Sequence, residues 1–184
     1  MTWWVPRPSQ LCAVALAIAA VGAASPASAI PIVDVGAHAR AAVQWTGAGP
    51  AGDLSAGVDL RGLELSAFYW KPFTTQGNWV DAQVGWDLSP VPMISVTPSV
   101  GVAALNGGFG PIGSVRGSFT PLLLPVSVEA MAGVSPLTGG LMYPYSLGLK
   151  LSLIPFTSLD LAYRGWAGAV NMMSGPELGV EIGL

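Results

Sequence analysis

Charge is what this chain has least of. Only 9% of its 184 residues are Asp, Glu, Lys or Arg, against about 25% in an ordinary soluble domain. That scarcity argues against a soluble enzyme with a charged surface. An apolar fraction of 52% argues equally against a disordered chain. Basic residues number 7 against 10 acidic ones, so no basic stripe is available to meet phosphates, and nucleic acid is not expected as a partner. Cysteine occurs once, at Cys12, and histidine once, at His38. Long helices are also disfavoured, because 24 glycines and 16 prolines are spread through the chain. What composition leaves is a membrane protein or a very apolar secreted β protein.

The one long apolar run is an address. Arg7 precedes Leu11–Ala24, and Ser25-Pro26 leads into Ala27-Ser28-Ala29. This is the order of a secretory signal peptide with its small-residue cleavage site. The run is shorter than the roughly 20 residues of a spanning helix, which disfavours the alternative of a retained anchor. The expected organisation is a cleaved signal over residues 1–29 and a single β-barrel over 30–184. Cys12 lies inside the apolar run rather than after it, so it is not a lipoprotein cysteine. Its removal with the signal leaves no disulfide, thiol nucleophile or Cys-ligated metal.

From there the chain alternates. Val33 to Trp45 places Val33, Val35, Ala37, Ala39, Ala41, Val43 and Trp45 on one face, with Asp34, His38, Arg40 and Gln44 on the other. The same period of two runs through Val80–Leu88, Val126–Val134, Tyr145–Leu153 and Leu178–Leu184, and more weakly through Ile94–Ala104, Gly113–Phe119 and Leu159–Tyr163. A period of two is a strand with one apolar and one polar face. The phase slips between Leu60 and Leu63. Either a two-residue hairpin at Arg61-Gly62 or a bulge at Gly62 explains the slip. The hairpin sets Asp59 against Glu64, a like-charge pair that counts against it.

Connections favour the hairpin. Links at 46–53, 71–78, 106–111, 136–143 and 167–176 read as long. Links at 89–93, 120–125 and 154–156 read as short. A short turn at Arg61-Gly62 makes long and short alternate throughout, as they do in outer-membrane barrels. The expectation is ten strands, near 33–45, 53–60, 63–71, 79–89, 93–105, 112–119, 125–135, 144–153, 157–166 and 177–184. Eight strands is the alternative.

The apolar faces carry no charge. The opposite faces hold Asp34, Arg40, Asp59, Glu64, Asp81, Asp87, Arg116, Glu129, Lys150, Asp160, Arg164, Glu177 and Glu181. So few charges would cover a soluble barrel thinly, whereas a barrel in lipid needs them only inside and in loops. With His38, these residues are expected to form a lumen charge network. Aromatic residues gather at strand ends: Trp45, Tyr69, Trp70, Trp79, Phe109, Tyr143, Tyr145 and Trp166 near the long links, and Trp86, Phe119 and Phe156 near the short ones. They read as two interfacial girdles. The fold class expected is an all-β, closed, antiparallel, transmembrane up-and-down barrel, whose closure satisfies every backbone polar group in hydrocarbon.

On these patterns the chain resembles the small bacterial outer-membrane β-barrel proteins, a broad class. The resemblance implies an outer-membrane location, contact with outer-membrane lipid, a monomer, and assembly through the alternating C-terminal strand. The last residue is Leu184 where such strands commonly end in an aromatic.

Chemistry is sparse. An enzyme acting on lipid A or surface peptides would need His38 near a rim, with a Ser or carboxylate in hydrogen-bond reach. The plainer reading is a lumen histidine, and no enzyme activity is expected. One histidine and scattered carboxylates show no ligand spacing, so no metal and no cofactor is expected. Gly107-Gly108 and Gly139-Gly140 are turn glycines rather than phosphate cradles. Met172-Met173 reads as a loop tip, with a partner contact as the alternative. Small polar residues such as Ser95, Thr97, Ser99, Ser114 and Ser118 line the middle strands. They leave two roles open, a filled structural or envelope barrel and a narrow cation-favouring, porin-like pore. A soluble barrel holding an apolar ligand is a third reading.

Overall fold

The computed structural model describes residues 35–74, 77–137, 139–168 and 173–183. The signal region 1–29, Asp34, Met172 and Leu184 lie outside the described residues.

Eleven strands follow in order: β1 Val35–Thr46, β2 Gly49–Leu60, β3 Leu63–Pro72, β4 Trp79–Trp86, β5 Leu88–Val91, β6 Ile94–Leu105, β7 Gly108–Phe119, β8 Val126–Leu137, β9 Gly140–Ile154, β10 Thr157–Gly168 and β11 Gly175–Gly183. Consecutive strands pair antiparallel, except β4 and β5, which do not pair with each other. β4 also pairs with β6, and β1 with β11, so the sheet closes. β5 is the short continuation of β4. Extending the β4–β6 register past Gly85↔Ser99 sets Trp86 against Pro98, which has no N–H to donate, and β4 breaks there. The barrel is therefore ten-stranded, and the eight-strand alternative is excluded.

Arg61-Gly62 is a hairpin. Both residues have positive φ, 52° and 85°, which marks the type I′ turn that matches strand twist. Leu60 faces Leu63, and Asp59 faces Glu64. The like-charge pair is relieved from outside the hairpin. Arg116 donates to Glu64 at 2.7 Å, and His38 lies 3.9 Å from Asp59.

The expected long links require correction. Three of the five shorten, because the flanking strands run on through their glycines and prolines: two-residue turns stand at 47–48 and 106–107, and β8 runs to Leu137 while β9 starts at Gly140. Asn106-Gly107, with φ of 51° and 84°, is a second type I′ turn. Only the β3–β4 and β10–β11 links stay long. We call that side the loop end. The opposite, terminal end holds Arg61-Gly62, the other three turns and the first and last described residues, Val35 and Gly183. One ladder stops early at the loop end. Extending the β7–β8 register past Gly113↔Val134 sets Pro111 against Pro136, and neither can donate. The Ser135 hydroxyl instead donates to the Pro111 carbonyl at 2.8 Å.

The outer face is apolar from end to end apart from Lys71 near the loop end. Leu54, Val84, Val100, Val115, Leu147, Leu161 and Val180 are all exposed on it, a surface far larger than soluble monomers present.

Gly107 has φ of 84° and nothing within reach of an added Cβ. Gly107→Ala therefore tests the turn backbone alone. It is expected to cost about 1 kcal/mol of unfolding free energy in urea titrations of vesicle-inserted protein.

Candidate functional site

Alternation sends the charge inward, and the lumen is the site. Its loop-end half is packed solid. Every one of the ten walls supplies an inward residue there: Gln44, Ala51, Trp70, Trp79, Ala103, Ile112, Ser135, Met142, Trp166 and Glu177, none more than 3% exposed. A solvent-sized path through this layer would wet some of them. Trp166 stacks at tilted angles on Trp70 and Trp79, with ring centroids 5.2 and 5.7 Å apart. Met173 reaches into the same cluster from the β10–β11 link. Gln44 ties the layer together. Its amide donates to the Arg164 carbonyl at 2.7 Å, and its carbonyl accepts from the Trp70 indole at 2.6 Å.

This corrects the girdle. Trp79 and Trp166, expected at the lipid interface, are buried inside, as is Trp70. Their strand phase explains it: Trp79 shares a face with Asp81, and Trp166 with Arg164. Trp45, Trp86, Phe119 and Phe156 are exposed on the outer side. Tyr69 is half-buried, and so is Tyr145, whose hydroxyl lies 3.1 Å from that of Ser174.

Below the aromatic layer sits a buried ionic knot. Arg40 Nε donates to Asp160 at 2.6 Å, and Nη1 to Asp53 at 2.7 Å. Its Nη2 meets Glu177. Arg164 approaches the other oxygen of Glu177 at 3.1 Å and lies over the Phe68 ring. Gly179 gives the guanidinium room, since a Cβ there would stand 3.1 Å from Nη2 and 2.8 Å from Ala42 Cβ. Asp53 was not among the expected site residues, because the sequence places it at the edge of an apparent loop. Its inward phase with Ser55 and Asp59 was the available signal.

The terminal-end half is hollow and wet. A cavity of about 300 Å³ runs from Phe68, Trp79, Ile112 and Trp166 toward Asp59, Asp87, Ser95 and Ser118. Its ion pairs are more exposed: Glu64–Arg116, and Lys150 with Glu181 at 2.7 Å and Glu129 at 3.3 Å. The Arg116 and Asp59 side chains are 43% and 48% exposed, so water enters from this end. Asp81 holds hydrogen bonds from Trp79 and Gln83 but no cation, and Asp87 takes hydroxyls from Ser89 and Ser95. Among the described residues the lumen thus presents nine carboxylates (Asp53, Asp59, Glu64, Asp81, Asp87, Glu129, Asp160, Glu177, Glu181) against four cations (Arg40, Arg116, Lys150, Arg164).

His38 also lines the cavity, toward the terminal end, on the cross-strand pairs with Gly57 and Gly183. Among the described residues it hydrogen-bonds no serine, and its nearest carboxylate stays at 3.9 Å. A nucleophile–base pair at the loop-end rim is not formed.

The fold is similar to that of the KdgM porin, with a TM-score of 0.50 at 9% identity, covering 80% of this chain and 98% of that one. The KdgM porin in complex with disordered oligogalacturonate gives 0.51, at the same identity and coverage. No family model matches the chain, and no curated protein matches it in sequence. At that identity the likeness is one of fold, and the fold is that of a small outer-membrane β-barrel.

Among the described residues, Arg40 is the one cation that bonds Asp53, Asp160 and Glu177 together. Arg40→Leu leaves buried carboxylates uncompensated and is expected to destabilise the barrel by about 3–5 kcal/mol. Urea unfolding in vesicles measures it. A loss under 1 kcal/mol would show that the knot is wetter than its burial indicates.

Proposed function

We propose that this protein is an envelope barrel of the outer membrane, sealed at rest toward its loop end, with an acidic vestibule at its terminal end. The sealed layer carries the reading, because all ten walls contribute a dry residue to it. The apolar outer face supports a place in lipid rather than in solution. The remaining parts of the proposal rest on sequence: export by a signal cleaved after Ala29, assembly through the C-terminal strand, and a monomeric state. Short turns face the periplasm in barrels of this class, which would turn the vestibule to that side.

The wall also sets what would pass if the layer gave way. Carboxylates outnumber cations nine to four, and a field of that sign favours cations. The neighbouring porin was solved with an oligogalacturonate. That ligand is a chain of carboxylates, which this wall repels, so the ligand is not carried over. The reading is non-catalytic, since among the described residues His38 has no partner in hydrogen-bond reach.

Planar-bilayer recording tests the seal. The wild-type protein, with insertion verified by heat-modifiable mobility, is expected to be silent. The Trp79→Ala/Trp166→Ala double variant is expected to open discrete, cation-selective steps. Conductance by the wild type would overturn the seal. Anion-selective steps in the variant would overturn the role given to the carboxylates.

A further inference from the structure

The terminal end is not uniform. Its turn at Arg61-Gly62 presents an exposed arginine. The other three turns carry no charge at all: Leu88 to Met93, Thr120 to Pro125, and Ile154 to Phe156. Their apolar side chains point into open space. Leu123 is 94% exposed, and Leu88, Val91, Leu122, Leu124, Ile154 and Phe156 are exposed with it. These turns are neighbours, tied edge to edge by backbone hydrogen bonds. Thr120 N–H donates to the Met93 carbonyl at 2.8 Å, and Ser152 N–H to the Pro125 carbonyl at 2.8 Å. They form one continuous uncharged rim along β5 to β10.

The rim continues the outer belt without a polar break. Phe119 and Val128 lead into the leucine turn, and Leu151 and Leu153 into Ile154 and Phe156. On β9 the outward side chains from Leu141 to Leu153 already span ~30 Å of barrel axis, taking ~3.3 Å per residue and a tilt of ~40°. The apolar band of such barrels is about 25 Å tall. The wall on this side is therefore taller than the membrane expected to cover it, and the rim lies beyond even that height. Mismatch of this kind is relieved by tilting or by local thickening of the bilayer.

We propose that the three uncharged turns are a lipid-binding rim, immersed in the headgroup–acyl boundary of the leaflet at the terminal end, while Arg61 on the opposite side stays in water. The barrel then leans, with its β5–β10 side sunk deeper. This rests on the membrane reading above, and the experiment separates the two.

Cys12 is the only cysteine, so a Cys12→Ser background accepts one spin label at a chosen site. Labels at Leu123→Cys, Leu149→Cys in the belt and Arg61→Cys are compared in phosphatidylethanolamine–phosphatidylglycerol vesicles. Collision with oxygen reports lipid, and collision with a nickel chelate reports water. Leu123 is expected to match Leu149, with Arg61 aqueous. Phe156→Cys repeats the test should the first variant not insert. An aqueous Leu123 with Leu149 in lipid overturns the rim and leaves the membrane reading standing. An aqueous Leu149 overturns the membrane reading itself. A Leu123 label immobilised and shielded from both probes overturns lipid contact in favour of a protein, a second copy included.

Discussion

Hydrocarbon offers no water to a sheet edge, so the pairing of β1 with β11 is the constraint on which the rest of this structure depends. Closure divides every strand into an outer and an inner side. With an apolar outside, the few charged residues have only the inside to occupy. Nine carboxylates then share one narrow tube with four cations. Repulsion among them would open the tube if they were spread evenly. Instead Arg40 is shared among Asp53, Asp160 and Glu177, which draws β1, β2, β10 and β11 together across the seam where closure occurs. The strongest ionic contacts thus lie beside the one pairing that joins the first strand to the last.

The two halves of the lumen solve different problems. The knot at Arg40 is viable only where water is excluded and the geometry is fixed, and the tryptophan layer above it supplies both. The terminal half keeps its charges near water, where exposed pairs cost little. Its serines and glycines are too small to fill the tube, so a cavity remains. A filled scaffold and a porin-like tube were the two readings open from sequence. Each describes half of one lumen.

Sequence alternation carried most of the fold. The phase slip at Leu60–Leu63 located the Arg61-Gly62 hairpin, and with it the count of ten. Loop lengths misled, because glycine and proline near 49–52, 108–111 and 136–140 look like loop punctuation. In a twisted closed sheet all of these but Gly139 are strand residues where walls approach closely, so the links shorten. The aromatic residues misled for a related reason. Position near a strand end suggested a girdle, but phase decides the side, and Trp70, Trp79 and Trp166 are in phase with charges. Asp53 was hidden by the same loop misreading. The knot itself was not legible, since it joins residues 120 and 137 positions apart. Alternation fixes the side of each residue but not its height.

The polarity of the molecule follows from these two ends taken together. At the loop end the lumen is dry, closed by tryptophans with Gln44, Ser135 and Glu177 among them, while its outer rim carries Lys71, Trp45 and Tyr143. At the terminal end the lumen is wet and acidic while the outer rim is leucine, isoleucine and phenylalanine. The lumen therefore changes from dry to open between the two ends, while the outside stays largely apolar. A barrel that merely spanned would need apolar residues only around its middle. One that carries them past its last hydrogen bond on one side, and keeps water in the tube behind them, sets lipid and solvent within one wall's thickness of each other. That arrangement resists sliding along the membrane normal: pushing the barrel in buries Arg61, and pulling it out exposes Leu122 to Leu124.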